Sequence, residues 1–310
     1  MKRLLIFAIL CGVVLFGFVH GDSYKGFTEP VFVEIPKGTS SFGIGRRLAT
    51  AGVIRHWSLF PLARLLKPSE RPLAGEYQFT QPATPAGVLG RMARGDVYYV
   101  ELVVPEGSDV FDIAQLVERH GLAAASDFIE AARDDEGYLF PSTYRFKRSV
   151  SINQIRKTMR AQFDKVWKEI ARGAPSRETV ILASLVEKEA VLDSERARIA
   201  GVYSNRLRIG MKLDCDPTVA YASRLDGRWR GTIYKDDLAS RNPYNTYVHP
   251  GLPPGPVANP GEASLRAALK PSETKEIFFV AAGSGGGAHI FSESIAAHEK
   301  AVAAYRRATH

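Results

Sequence analysis

A repeat 69 positions apart constrains this chain more than any other feature: Glu34-Ile35-Pro36-Lys37-Gly38-Thr39 returns as Val103-Val104-Pro105-Glu106-Gly107-Ser108. The likeness runs on past the glycine. Phe42, Ile44, Leu48 and Gly52 align at the same offset with Phe111, Ile113, Val117 and Gly121, an apolar stripe at helical spacing closed by a glycine stop. Each unit therefore reads as strand, Pro-x-Gly turn, helix and stop. Strand-like segments at Glu76 to Thr80 and Val97 to Val104 are expected to complete a small sheet against which those helices bury their stripes. A repeated supersecondary unit is by itself no evidence of binding.

At the N-terminus, Lys2 and Arg3 precede sixteen uncharged, mostly bulky residues, Leu4 to Val19. A spanning helix needs about 17 to 25 residues, and flanking cations can snorkel, so the run reads as an anchor that keeps the N-terminus inside and the body outside. A cleaved signal peptide is the competing reading, for which Val19-His20-Gly21 offers only a loose small-residue site.

At 310 residues two domains are the starting expectation. The 41 Lys and Arg against 33 Asp and Glu give a net charge of +8, which suits a polyanionic partner such as nucleic acid, anionic lipid or the carboxylates of cell-wall stem peptides. No helix-turn-helix, aromatic RNA-binding signature or zinc finger appears, so nucleic acid is not expected. The two cysteines, Cys11 and Cys215, should not pair, and Cys215 lacks the flanking signature of a thiol nucleophile.

From about Asp135 the texture changes. An aromatic turn, Gly137-Tyr138-Leu139-Phe140-Pro141-Ser142-Thr143-Tyr144, precedes expected helices at about 152–172, from about Glu178 to Leu192, and at 195–209. Loops rich in aromatics and amides follow, Asp214-Cys215-Asp216-Pro217, Tyr244-Asn245-Thr246-Tyr247 and Gly251-Leu252-Pro253-Pro254-Gly255-Pro256, the usual material of binding sites. A hairpin of 277–281 with 289–292 around Gly283 to Gly287 leads into a last helix. Those glycines lack the Lys-Ser/Thr ending of a phosphate loop, and no other cofactor signature is present.

None of the seven histidines sits in zinc-binding spacing, and no Gly-x-Ser-x-Gly elbow occurs. What remains is Leu185-Val186-Glu187-Lys188-Glu189 at the end of an apolar helix. Glu187 shares a face with Val180, Ala183 and Ser184; Glu189 lies roughly 200° away with Leu182, Leu185 and Val186. The two cannot act as one pair. A carboxyl among small and apolar neighbours is desolvated, holds its proton more tightly and suits a general acid. Periodicity does not choose between them, and either can be a solvated helix-end charge.

The run Ala183 to Glu189, with Ser194-Glu195-Arg196, Asn205-Arg206-Leu207, Asp216-Pro217-Thr218-Val219, Tyr244 to Tyr247 and Gly251 to Pro256, resembles the MltG/YceG-like endolytic transglycosylases. The likeness covers nearly the whole chain, and several motifs in order are far more specific than one. It implies an α+β fold in three parts: a membrane helix over 1–21, a LysM-like module carrying the two Pro-x-Gly units over 22–134, and a catalytic domain over 135–310. It places the catalytic glutamate at the first Glu of Glu-Lys-Glu, Glu187. Ser142 stands after Phe140-Pro141 where the family commonly has Asp, so no carboxylate role carries over there.

The implied reaction needs one carboxyl. Protonated Glu187 gives its proton to the oxygen joining N-acetylmuramic acid to N-acetylglucosamine, then takes the proton of the muramyl C6 hydroxyl as that oxygen closes on C1, leaving a 1,6-anhydro end without water. Ordinary glycosidases use two carboxylates. Asn205, Asp216, Tyr244, Asn245 and Tyr247 are candidates to hold sugar, with loop closure or core packing as the alternative for each. Partners so implied are glycan strands, the inner membrane and a cell-wall synthase, with no metal or cofactor. The rival readings are a non-catalytic tethered scaffold that binds peptidoglycan and recruits a synthase, and an amidase or peptidase acting on stem peptides.

Overall fold

The protein, seen as a computed structural model, is described over residues 2–283 and 286–309, with the side chains of residues 2–5, 8, 11 and 309 outside the described set. The chain divides into two compact units, Met1–Val100 and Glu101–His310.

Unit 1 runs α1 (Lys2–His20), β1 (Val31–Ile35), α2 (Ser41–Thr50), α3 (Leu59–Leu66), β2 (Gly75–Phe79) and α4 (Pro85–Arg94). β1 and β2 pair antiparallel with Val31 opposite Phe79 and Ile35 opposite Gly75, and their alternation turns Val33, Ile35, Tyr77 and Phe79 inward. The predicted stripe of α2 supplies Ile44 and Leu48; Phe60 of α3 and Val88, Leu89 and Met92 of α4 close the core. Ser40 and Thr84 cap α2 and α4 by accepting from the Gly43 and Gly87 N–H groups. Val19, near the end of α1, is fully buried in this core. Among the described residues no helix is long and apolar enough to cross a membrane. The expected anchor, Leu4 to Val19, lies within α1, and its Leu4, Leu5, Ala8 and Cys11 side chains fall outside the described residues.

Unit 2 continues with β3 (Val100–Val103), α5 (Val110–Arg119), α6 (Ala125–Ala132), β4 (Thr143–Phe146), α7 (Ile152–Ile170), α8 (Arg177–Glu189), α9 (Arg196–Arg208), α10 (Asp216–Leu225), α11 (Lys235–Leu238), α12 (Glu262–Leu269), β5 (Phe278–Ala281), β6 (His289–Ser292) and α13 (Ile295–Thr309). Its core gathers Phe163 and Trp167 of α7, Val180, Leu185 and Val186 of α8, Ile199 and Tyr203 of α9, and Leu265 of α12. The expected C-terminal hairpin forms as β5 against β6; Ser284 and Gly285 in its turn lie outside the described residues. The chain is mixed α+β, with three separate two-stranded sheets among the described residues.

The single small sheet anticipated from Glu76 to Thr80 and Val97 to Val104 is a correction. β2 pairs with β1, whereas β3 pairs with β4, and the second strand-turn-helix segment belongs to unit 2. The units thus divide at 100/101 where the sequence reading set 134/135. Polar bonds hold that second segment in place. The Gly107 N–H donates to the Asn259 carbonyl at 3.1 Å and the Asn259 N–H to that of Ser108 at 2.9 Å. Arg224 of α10 donates to Asp109 and Asp112 in the first turn of α5.

At the centre of this arrangement Glu136 is buried and accepts from the Val110 N–H at 2.8 Å, the Tyr221 hydroxyl at 3.0 Å and the Asn259 amide at 2.8 Å. Burial, then the charge of Asp109, pushes its carboxyl from 4.5 up to about 8. A carboxyl raised on folding stabilises the native state fully below its unfolded pKa and loses that contribution as pH climbs through the folded one. The unfolding free energy is therefore expected to fall between about pH 4.5 and about pH 8, and Glu136→Gln should make that slope shallower in urea titrations across the range.

Candidate active site

α8 is apolar on every side through its middle, since Val180 to Val186 are all buried. Ser184 fits this because its hydroxyl donates to the Ile181 carbonyl at 2.7 Å and accepts from the Val257 N–H at 3.1 Å. Polar character begins at the last turn, which delivers Glu187 and Glu189 to different surroundings.

Glu187 is closed in. Its side chain is 5% exposed and pairs with Arg196, 9% exposed, at 3.1 Å through Oε1; its Oε2 accepts from the Gly261 N–H at 2.9 Å. Arg196 also donates to Ser264 at 2.6 Å and to Asp193 at 2.9 Å, so one guanidinium joins α8, the start of α9 and α12. Glu106, from the second Pro-x-Gly turn, lies against the same spot: its carboxyl occupies the space that a Cβ on Gly261 would take. Burial and the charge of Glu187 raise the Glu106 carboxyl.

Glu189 faces elsewhere. It lines a cavity of about 530 Å³ shared with Arg206, Asp214, Asp216, Tyr247 and His289. Its Oε1 accepts from the Tyr203 hydroxyl at 3.1 Å and the Cys215 thiol at 3.3 Å, and among the described residues nothing donates to Oε2. Burial raises its carboxyl, the Cys215 and Tyr203 hydrogen bonds and His289 oppose that, and the charge of Asp216 adds to it. The environment expected of a general acid, a desolvated carboxyl with one oxygen left open, is thus met at Glu189, while Glu187 is spent on an internal ion pair.

Residues 33–304 match the profile of the YceG-like family. The chain belongs to that family. It is 30% identical to the endolytic murein transglycosylase of Bacillus subtilis (strain 168), over 93% of this chain and 89% of that protein. The Streptococcus pneumoniae serotype 2 protein of the same name is 28% identical over 81% of this chain, which spans 54% of that relative. A crystal structure of a yceG-like protein from Listeria monocytogenes matches with a TM-score of 0.54 and 30% identity, covering 88% of this chain and 99% of that one.

Of the sugar-binding candidates in this YceG-like chain, Asp216 and Tyr247 come together at the Glu189 cavity, the tyrosine hydroxyl donating to Asp216 at 2.7 Å. Asn205 lies elsewhere, donating to the carbonyls of Thr274 at 2.7 Å and Glu276 at 2.9 Å. Asn245 is fully buried and donates to the carbonyls of Leu238 at 3.0 Å and Ser240 at 2.8 Å, which is loop closure. Tyr244 packs at 5.1 Å from Tyr221. Arg196, Glu106, Glu136 and His289 escaped assignment from sequence; the Ser194-Glu195-Arg196 motif was the available signal for the first, and none announced Glu136.

Arg196→Ala strands Glu187 in a buried position without its counterion, which costs about 3–5 kcal/mol. Asp193, 82% exposed, is expected to change stability by no more than about 0.5 kcal/mol when replaced by Ala. Urea melts of the two variants check the contrast.

Proposed function

We propose that this protein is a lytic transglycosylase that cuts the glycan strands of peptidoglycan at the N-acetylmuramic acid to N-acetylglucosamine bond and leaves a 1,6-anhydro end. Two relatives carry the name endolytic murein transglycosylase. The observation that carries the chemistry is Glu189: a carboxyl raised by burial, on the wall of a cavity of about 530 Å³, whose Oε2 has no donor among the described residues. Such a group holds a proton for the leaving oxygen and, once ionised, accepts one back.

The resemblance points to Glu187 as that carboxyl, and the geometry favours Glu189. Replacing either by Gln removes one transferable proton. Glu189→Gln should lower release of anhydro-ended fragments from purified peptidoglycan by at least the ~100 to 10,000-fold typical of lost acid/base catalysis. Glu187→Gln should retain turnover at temperatures where it stays folded. The reverse outcome returns the role to Glu187.

A hydrolytic reading has one observation in its favour, the presence of Asp216 on the same cavity, since hydrolases need a second carboxylate to activate water. Asp216 here accepts the Tyr247 hydroxyl. Tyr247 and Asp216 are better placed to bind sugar, with the substrate's own hydroxyl as nucleophile.

Unit 1 serves as the LysM-like, peptidoglycan-binding part of this reading. Its core draws on α1 to α4 and both strands, and Phe42, 59% exposed, stands 5.9 Å from Trp57 with Arg46 over the indole, a surface suited to sugar rings and carboxylates. A fragment ending at Val100 should sediment with insoluble peptidoglycan without cutting it; a folded fragment left in the supernatant reduces the unit to a spacer. The Lys2/Arg3 pair and the apolar face of α1, with Phe7, Leu10, Val14 and Phe18 exposed, support a single-pass anchor with the body outside. In this reading the cut also terminates nascent glycan strands, which requires a cutter held beside the synthase that makes them, so anchor and synthase partner belong to one proposal.

A further inference from the structure

β6 opens with His289, opposite Ala281 of β5. The hairpin lines the cavity, and its Gly287 packs against the side chain of Val191, two residues past Glu189, where a Cβ would collide. Glu195 then holds His289 with both oxygens, one on the backbone and one on the ring. Its Oε1 accepts the His289 backbone N–H at 3.0 Å and its Oε2 pairs with Nδ1 at 2.7 Å. The two side chains are 11% and 14% exposed, and Phe279 stands edge-on to the ring at 5.4 Å.

In the tautomer that donates from Nδ1 to Glu195, Nε2 presents a lone pair. Among the described residues nothing bonds Nε2, and His289 lines the same cavity as Glu189. A carboxylate behind Nδ1 and an open Nε2 is the arrangement that lets a histidine take a proton, because the imidazolium it becomes is held by the charge behind it.

We propose that His289, oriented by Glu195, is the base that receives the muramyl C6-hydroxyl proton, so that acid and base are separate groups on one cavity. This rests on the transglycosylase reading above. Glu189 gives its proton to the bridging oxygen as the C1 bond to that oxygen breaks. The C6 oxygen bonds to C1 while its proton passes to His289 Nε2. The imidazolium then returns a proton to the Glu189 carboxylate, directly or through water, and both groups are reset with no net gain or loss. Glu189 has a single open oxygen, since Oε1 already holds Tyr203 and Cys215; the imidazole supplies the second acceptor and holds the C6 hydroxyl ahead of competing water.

The test is a digest of purified peptidoglycan by the full chain in ¹⁸O-water, read by mass spectrometry for anhydro ends and for ¹⁸O-labelled reducing ends. His289→Gln should lower the anhydro-forming rate by at least ~100-fold and raise the labelled fraction. Glu195→Gln keeps an acceptor for Nδ1–H but removes the charge behind it, and should fall between His289→Gln and wild type. Anhydro-end formation within threefold of wild type in either variant, with the labelled fraction unchanged, overturns the assignment. The underlying reading fails separately, if wild-type protein forms no anhydro ends or if Glu189→Gln cuts at the normal rate.

Discussion

The catalytic half hangs on one guanidinium. Arg196, at the start of α9, reaches Glu187 on α8 and Ser264 on α12, so three helices that share an apolar core are also fixed in register by a buried charge. Breaking such a pair leaves an uncompensated buried charge, so a shift of α8 against α9 costs more than the apolar contacts alone. The last turn of α8 is what this register sets. If α8 rotates, Glu189 leaves its cavity, and Tyr203 and Cys215, which come from α9 and the loop before α10, no longer meet its carboxyl.

The two glutamates of one short motif thus have separate duties. Glu187 looks inward to Arg196, Gly261 and the neighbouring Glu106, and holds the scaffold. Glu189 lines the cavity and is the carboxyl proposed to carry the chemistry. The Ser194-Glu195-Arg196 motif divides in the same way, since Arg196 serves Glu187 while Glu195 aligns His289 on the cavity wall. The second Pro-x-Gly turn completes the arrangement by laying Glu106 and Gly107 against the Glu187 side, where Lys188 donates to the Gly107 carbonyl at 3.1 Å.

Local structure was legible wherever periodicity and end signals agreed. The helices expected at 152–172 and 195–209 appear as α7 and α9, and Gly52 and Gly121 take the left-handed conformation of a helix stop, with φ of 71° and 65°. Strand pairing was not legible, because β1 and β3 look alike in sequence and nothing local says that one meets β2 and the other β4. For the site, periodicity left two glutamates and the family motif pointed to Glu187; what distinguishes their surroundings is Arg196, nine residues from Glu187, and a cavity whose wall comes from residues near 214, 247 and 289. Asn245 shows the same limit from the other side: an amide in an aromatic loop is equally good for sugar or for closing its own loop, and only the positions of the Leu238 and Ser240 carbonyls decide.

The central claim is that the glycan bond is broken by an internal hydroxyl and not by water, with Glu189 moving the proton. Digesting purified peptidoglycan with the wild-type protein in ¹⁸O-water measures this directly. The expected product is 1,6-anhydro ends without label, formed at least ~100-fold more slowly with Glu189→Gln; labelled reducing ends as the main product of the wild-type protein would contradict this.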